Sequence, residues 1–162
     1  LGDVYKRQSI LNVHASGGLD MMRAAAEAAA VGAELHGVSK PIIAAVTVLT
    51  SMDTSDLDMV GQRGPADEQV GRLAQLTKDA GLDGVVCSPM ESAAVRDAFD
   101  DDFVRIVPGI RPSWALTDDQ KRITTPRQAL DAGATYLVIG RPITQADDPV
   151  EAAFRIADEM AE

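Results

Sequence analysis

Short runs of β-branched and other apolar residues alternate along this chain with longer segments of helical periodicity. Each run is continuously apolar, which predicts strands that are covered on both faces. The expected strands are Ile10–Ala15, Ile42–Leu49, Gly84–Cys87, Phe103–Val107 and Thr135–Ile139. The expected helices lie near Leu19–Leu35, Pro65–Ala80, Glu91–Phe99, Pro126–Ala132 and Pro149–Met160. Five β-α units in series predict a parallel sheet with right-handed crossovers.

Two α/β architectures accept this order of elements. One is an open doubly wound sheet of the flavodoxin-like kind, and the other is part of a (β/α)8 barrel, which usually needs ~250 residues. In both, ligands bind at the carboxyl ends of the strands. The first eight residues fit no periodicity, so we expect residues 1–8 to be a non-native leader and residues 9–162 to form a single domain.

Composition excludes several classes of function. Fifteen basic residues against 25 acidic ones give a formal net charge of −10, which disfavours nucleic acid as a partner. The sequence contains no apolar run of the ~20 residues that a membrane span requires. Cys87 is the single cysteine, which rules out a disulfide framework or a cysteine-rich metal site and predicts a small buried side chain in a cytoplasmic protein.

Two arginines follow successive predicted strands. The stretch YLVIGRP, residues 136–142, runs directly from an apolar strand into Gly140 and Arg141. The preceding strand ends in VPGIRP, residues 107–112, where two prolines stiffen the chain around Arg111. A glycine lets the backbone approach a ligand closely, and arginine supplies a permanent charge with a planar set of donors. We therefore expect Arg111 and Arg141 to converge on one anion, which favours a phosphorylated small molecule as ligand.

The remaining strand-end residues are less specific. Thr50 ends the second apolar run, and its spacing is equally typical of a ligand contact and of helix capping. The segment after Arg111 is long for a compact β-α unit, which is typical of a lid or a binding loop. Trp114 in that segment is either an anchor for a lid or an exposed aromatic residue.

Six collinear blocks of this sequence resemble the orotidine 5'-phosphate decarboxylase family. They are NVHASGG, AVTVLTSMD, GLDGVVCS, VPGIRP, DQKRITTPRQAL and YLVIGRPIT, and they run from about Ser9 to the carboxyl terminus. The resemblance implies a (β/α)8 barrel of which this chain carries about five β-α units. It implies decarboxylation of orotidine monophosphate to uridine monophosphate without a cofactor or a metal, by a homodimer in the full-length enzyme.

The resemblance also implies roles for individual residues, with a pyrimidine nucleoside monophosphate as ligand. Arg141 and the Gly140 amide would hold the phosphate, joined by Arg111 from the long loop. Gln120 would bridge that loop to the phosphate and the pyrimidine. Thr50 would lie beside the pyrimidine or the phosphoribosyl group.

The catalytic array of the family has no counterpart in this sequence. That array is a D-x-K-x-x-D segment with a further lysine and aspartate, and the lysine stabilises and then protonates the carbanion. The four lysines here are Lys6, Lys40, Lys78 and Lys121, and none is expected at the carboxyl end of a strand next to a pyrimidine. We expect the array to lie in amino-terminal strands beyond this chain, which would then be inactive by itself.

Two alternatives remain open at this stage. The chain could be a noncatalytic phosphate-binding fragment, which a true start near Ser9 would favour. It could also come from a sister enzyme on the same barrel, such as a hexulose-phosphate synthase or a ketogulonate-phosphate decarboxylase. Gln120 and the VLTSM segment, residues 48–52, favour the pyrimidine nucleotide over a sugar phosphate.

Overall fold

The computed structural model describes residues 8–62, 64–115 and 124–161, and the chain divides into two compact units. The first unit contains β1 (Ile10–His14), α1 (Leu19–His36), β2 (Ile42–Val46), α2 (Thr54–Met59), α3 (Ala66–Asp79) and β3 (Gly84–Val86). The second contains α4 (Pro89–Ala98), β4 (Val104–Pro108), α5 (Pro126–Asp131), β5 (Tyr136–Val138), α6 (Arg141–Thr144) and α7 (Pro149–Ala161). Short 3-10 turns occur at Ala15–Gly17 and Ser113–Ala115.

The predicted alternation of strands and helices is confirmed. Each expected strand is present, although β2 ends at Val46 instead of Leu49. The five expected helices are also present, and the structure adds the short helices α2 and α6. The expected division into a leader of residues 1–8 and a domain of residues 9–162 stays a prediction, since residues 1–7 lie outside the described part of the chain.

Local side-chain caps explain where several helices begin. The N-cap side chains of α2, α4, α5 and α7 are Asp53, Ser88, Thr125 and Asp148. At α5, the Thr125 hydroxyl accepts from the amide of Gln128 at 3.3 Å, and the Gln128 side chain accepts from the amide of Thr125 at 3.0 Å. Such reciprocal caps satisfy amides that have no partner within the helix.

The first unit is built on three parallel strands. Residues Ile10 to His14 of β1 pair with Ile42 to Val46 of β2, and β2 pairs in turn with β3. At the amino ends of β2 and β3, the Lys40 ammonium lies 2.6 Å from a carboxylate oxygen of Asp83. That oxygen also accepts from the amide of Ile43 at 2.7 Å. Lys40 therefore lies before the amino end of β2, as the sequence predicted.

The second unit pairs β4 with β5 in parallel and packs α7 against α5 and α6. Phe103 is fully buried, and its ring centroid lies 4.9 Å from that of Phe99. The buried guanidinium group of Arg105 donates to the carbonyl oxygens of Phe103 and Gly133. Carbonyl acceptors thus satisfy this charged group inside the unit, which makes its role structural.

Cys87 is buried, as the sequence predicted, and its thiol is free. Desolvation raises the pKa of this thiol from 9.0 to about 12, with a further upward contribution from the Glu91 carboxylate, while Arg105 opposes the shift. A thiol with such a pKa stays protonated at neutral pH and is a poor nucleophile. Cys87 therefore acts as a small apolar core residue.

Candidate functional site

The second unit contains a pocket of about 320 Å³. Its lining residues come from the segment after β4 and from α6 and the turn that follows it: Arg111, Trp114, Ala115, Arg141, Pro142, Gln145 and Ala146. The two arginines that the sequence predicted to converge thus line the same pocket. A site with two guanidinium groups can bind an anion through charge-assisted hydrogen bonds.

The backbone on both sides of Arg111 is fixed. Gly109, just after β4, has a φ of +81°, a conformation that glycine adopts without the steric cost of a Cβ. Ile110 and Pro112, which flank Arg111, are both fully buried. The amide of Arg111 donates to the carbonyl oxygen of Thr124 at 3.1 Å. The sequence therefore holds the arginine backbone in place while its side chain borders the pocket.

Arg141 is the first residue of α6, a single turn that directly follows the loop after β5. Gly140 is the N-cap of this turn, and its carbonyl oxygen accepts from the amides of Ile143 and Thr144 at 2.9 and 3.0 Å. A Cβ placed at Gly140 would meet no atom within 4 Å. The backbone beside Arg141 is therefore open on the side where a side chain would otherwise project.

The two pocket arginines have no ion-pair partner among the described residues. Across residues 8–62, 64–115 and 124–161, neither Arg111 nor Arg141 forms a salt bridge or a side-chain hydrogen bond. Arg111 is half-buried and Arg141 is exposed. A locally positive pocket thus exists in a chain whose formal net charge is −10.

Trp114 is half-buried in the wall of the pocket and is not a freely exposed aromatic residue. The guanidinium carbon of Arg155, on α7, lies 4.3 Å from the centroid of its ring. The indole Nε1 is buried and has no hydrogen-bond acceptor within the described parts of the chain. Among the described residues, stacking and packing, not an indole hydrogen bond, therefore hold this side chain.

The other predicted site residues lie elsewhere or outside the described residues. Thr50 is exposed in the segment Leu49–Ser51, which belongs to the second unit, but it does not line the pocket. Gly140 is adjacent to the pocket without lining it. Gln120 falls among residues 116–123, outside the described part. The ligand contacts expected of these three residues stay predictions.

Sequence reasoning missed Ala115, which follows Trp114, and three lining residues further along the chain, which are Pro142, Gln145 and Ala146. All three belong to α6 or follow it directly, and a helix of four residues is too short to show a hydrophobic period. The signal that indicates this helix is local. Proline is favoured in the first turn of a helix, and Pro142 is the second residue of α6.

No group of three or more His, Cys, Asp or Glu side chains in residues 8–62, 64–115 and 124–161 is arranged to hold a metal ion. None of the helices described in those ranges is both long enough and apolar enough to cross a membrane.

Comparison with known proteins shows the family to which this chain belongs. A family model described as "Orotidine 5'-phosphate decarboxylase / HUMPS family" matches residues 5–156. Orotidine 5'-phosphate decarboxylase of Rhodospirillum rubrum is 55% identical over 152 residues, which cover 94% of this chain and 62% of that protein. The enzyme of the same name from Saccharophagus degradans is 55% identical over 153 residues, again with 94% and 62% covered.

A solved structure is similar in fold as well as in sequence. The crystal structure of orotidine 5'-phosphate decarboxylase from Lactobacillus acidophilus matches with a TM-score of 0.81 and 37% identity, over 95% of this chain and 64% of that one. The fold is thus an incomplete (β/α)8 barrel, and the chain spans about 62% of the length of the two curated relatives. On this evidence the chain belongs to the orotidine 5'-phosphate decarboxylase / HUMPS family.

Proposed function

We propose that this chain forms the phosphate-binding part of an orotidine 5'-phosphate decarboxylase, the enzyme that converts orotidine monophosphate to uridine monophosphate and carbon dioxide. The observation that carries the proposal is that Arg111 and Arg141 line one pocket and have no carboxylate partner among the described residues. The names of the curated relatives supply the identity of the substrate.

The chemistry of the pocket supports a phosphate monoester as ligand. Two guanidinium groups offer several N–H donors at fixed angles, and such donors match the oxygens of a phosphate. A pocket of about 320 Å³ is large enough for a small ligand and far too small for a macromolecule. Because the net charge of the chain is −10, attraction of the anion depends on these two arginines and not on the overall field.

Three further residues have proposed ligand contacts. The Gly140 amide would donate to the phosphate beside Arg141, since the backbone there is open. Gln120 would link the long loop to the phosphate and the pyrimidine. Thr50 would contact the pyrimidine or the ribose. These contacts rest on the sequence resemblance.

We also propose that the chain does not decarboxylate orotidine monophosphate by itself. The Lys40 ammonium is paired with Asp83 at the amino ends of the strands, and Lys78 lies on α3. Lys6 and Lys121 fall outside the described residues. The lysine and aspartates that would stabilise the carbanion are therefore expected in the rest of the enzyme. There they would act without a cofactor, in a cytoplasmic homodimer.

Calorimetric titration of the 162-residue chain with uridine monophosphate tests the binding proposal. Uridine, which lacks the phosphate, should bind far more weakly. Arg111→Ala and Arg141→Ala should each weaken binding of the nucleotide by about tenfold or more, since each removes charge-assisted hydrogen bonds. Arg72→Ala is the matched control, because Arg72 lies on α3 outside the pocket. Equal affinity for the nucleotide and for uridine would contradict the proposal.

Two additional measurements separate the remaining alternatives. Turnover of orotidine monophosphate by the purified chain, followed by its absorbance, would contradict the proposed inactivity. The matching family model also covers HUMPS proteins, and a sister enzyme that acts on sugar phosphates is the open alternative. A pentulose phosphate should therefore be titrated alongside uridine monophosphate. Preference for the pentulose phosphate would favour a sister sugar-phosphate enzyme.

A further inference from the structure

Helix α7 contacts two successive residues of the pocket wall segment, Ser113 and Trp114. The amide of Ser113 donates to both carboxylate oxygens of Glu159, each at 3.1 Å. The guanidinium group of Arg155 stacks on the ring of Trp114 at 4.3 Å. Arg155 and Glu159 are four residues apart and therefore lie on the same face of α7. One face of α7 thus holds the Ser113–Ala115 turn through the Glu159 carboxylate and the Arg155 guanidinium group.

The segment that α7 holds is continuous with the pocket. Pro112 is fully buried and joins Arg111 to Ser113, and its carbonyl oxygen accepts from the amide of Ala115 at 3.0 Å. Trp114 and Ala115 line the pocket together with Arg111. The turn is short and closed by a hydrogen bond, so a displacement of Ser113 or Trp114 also moves the wall beside Arg111.

The contact that α7 makes with Trp114 is the stacking of Arg155 on its ring. Its indole Nε1 has no acceptor within residues 8–62, 64–115 and 124–161, so no hydrogen bond fixes the rotation of the ring. The stacked guanidinium group covers one face of the ring, and such stacking is electrostatically favourable. Neither Arg155 nor Glu159 lines the pocket itself.

We propose that Glu159 and Arg155 are positioning residues, which hold the Ser113–Ala115 turn and thereby keep the Arg111 side of the pocket in a shape that receives phosphate. This inference rests on the proposed phosphate-binding function. It extends the site to a helix that does not touch the ligand, and it assigns the two α7 residues a role in affinity and not only in stability.

The test uses Trp114 as a spectroscopic probe, because it is the single tryptophan of the chain. The variants are Glu159→Ala, the milder Glu159→Gln, Arg155→Ala and Arg155→Lys, which keeps the cation. Asp158→Asn is the matched control, since Asp158 is an exposed neighbour on α7 and the hydrogen bonds from α7 to the Ser113 amide go to Glu159. Emission spectra, acrylamide quenching, melting temperature and affinity for uridine monophosphate are measured for each.

Glu159→Ala and Arg155→Ala should increase quenching of Trp114 and weaken nucleotide binding by about tenfold, the effect of losing one charge-assisted contact. Glu159→Gln and Arg155→Lys should retain part of the affinity, and Asp158→Asn should match the wild type. If Glu159→Ala does not fold, the affinity of Glu159→Gln for uridine monophosphate decides the question, and a partial loss of that affinity would support the positioning role.

The outcomes distinguish this inference from the proposed function. If the wild-type chain binds the nucleotide and all four variants bind equally well, only the positioning role is contradicted. Unchanged quenching in Arg155→Ala would likewise contradict it. If the wild-type chain binds no uridine monophosphate, the proposed function fails and the inference fails with it.

Discussion

The backbone amide of Arg111 donates to the carbonyl oxygen of Thr124, and this hydrogen bond joins the two ends of the long loop after β4. Ile110 and Thr124 also form a parallel bridge at the same place. The backbone of the pocket arginine is therefore tied to Thr124, the residue that precedes the N-cap of α5. The capping box at Thr125, one residue further on, thus supports the site as well as α5.

Removal of that cap should weaken both stability and binding. Thr125→Ala removes the hydroxyl that accepts from the amide of Gln128, and loss of an N-cap typically costs about 1 kcal/mol. We expect a lower free energy of unfolding in urea and weaker binding of uridine monophosphate. Thr125→Ser keeps the hydroxyl and is the control. Equal stability of the alanine and serine variants would show that the cap is dispensable.

A methyl group at Gly140 should affect binding without affecting the fold. A Cβ at this position meets no protein atom within 4 Å, and the φ of −105° lies outside the positive range that favours glycine. We expect Gly140→Ala to change unfolding free energy by less than about 0.5 kcal/mol, as for most surface substitutions. Affinity for uridine monophosphate should fall, because the methyl group occupies the space through which the phosphate would approach. Gly71→Ala on α3 is the control, and unchanged affinity in Gly140→Ala would contradict the close approach.

Gly133 tests the packing of the second unit. Its φ of +96° is costly for alanine by roughly 1–2 kcal/mol, and an added Cβ would lie 2.8 Å from Cδ of Arg96. Gly81 has a similar φ of +77°, but a Cβ there meets nothing. Gly133→Ala should therefore lower the urea midpoint more than Gly81→Ala. Adding Arg96→Ala removes Cγ and Cδ but leaves Cβ at 3.2 Å, so it should recover part of the difference. If it recovers none, the clash with the Arg96 side chain is not the source.

The Cys87 thiol should make stability fall at alkaline pH. Burial raises its pKa to about 12 in the folded chain, against 9.0 for an ordinary thiol. The folded state therefore retains its proton where the unfolded state loses it, so this contribution is full below pH 9 and declines as pH rises towards 12. Urea unfolding of the wild type and of Cys87→Ala is measured between pH 9 and 12. The difference between the two free energies of unfolding separates the contribution of the thiol from that of other titrating groups. Parallel pH profiles of the two proteins would contradict the prediction.

The sequence predicts most of the fold because its signals are local. The continuous apolar strands, the helical periods and the cap at Asp148 all lie within short windows of the chain. The convergence of Arg111 and Arg141 was also predictable, since carboxyl ends of neighbouring parallel strands lie at the same edge of a sheet. Their common pocket follows from topology, and side-chain detail is not needed to expect it.

The features that the sequence did not predict depend on distant or very short segments. Glu159 and Ser113 are separated by most of the second unit, and no local pattern links a helix carboxylate to that amide. The stacking of Arg155 on Trp114 is of the same kind, which is why both alternatives for Trp114 remained open. Helix α6 has only four residues and shows no period.

The reciprocal caps at Asp53, Ser88 and Thr125 have an evolutionary consequence. Each cap is completed by a residue three positions later. The residues that determine where the helix starts are therefore encoded within one short stretch of the gene. Recombination between related barrels at the strand-to-helix junctions would leave these three start signals intact. Each of these three helices would therefore begin at the same residue in a chimaeric barrel as in the parent.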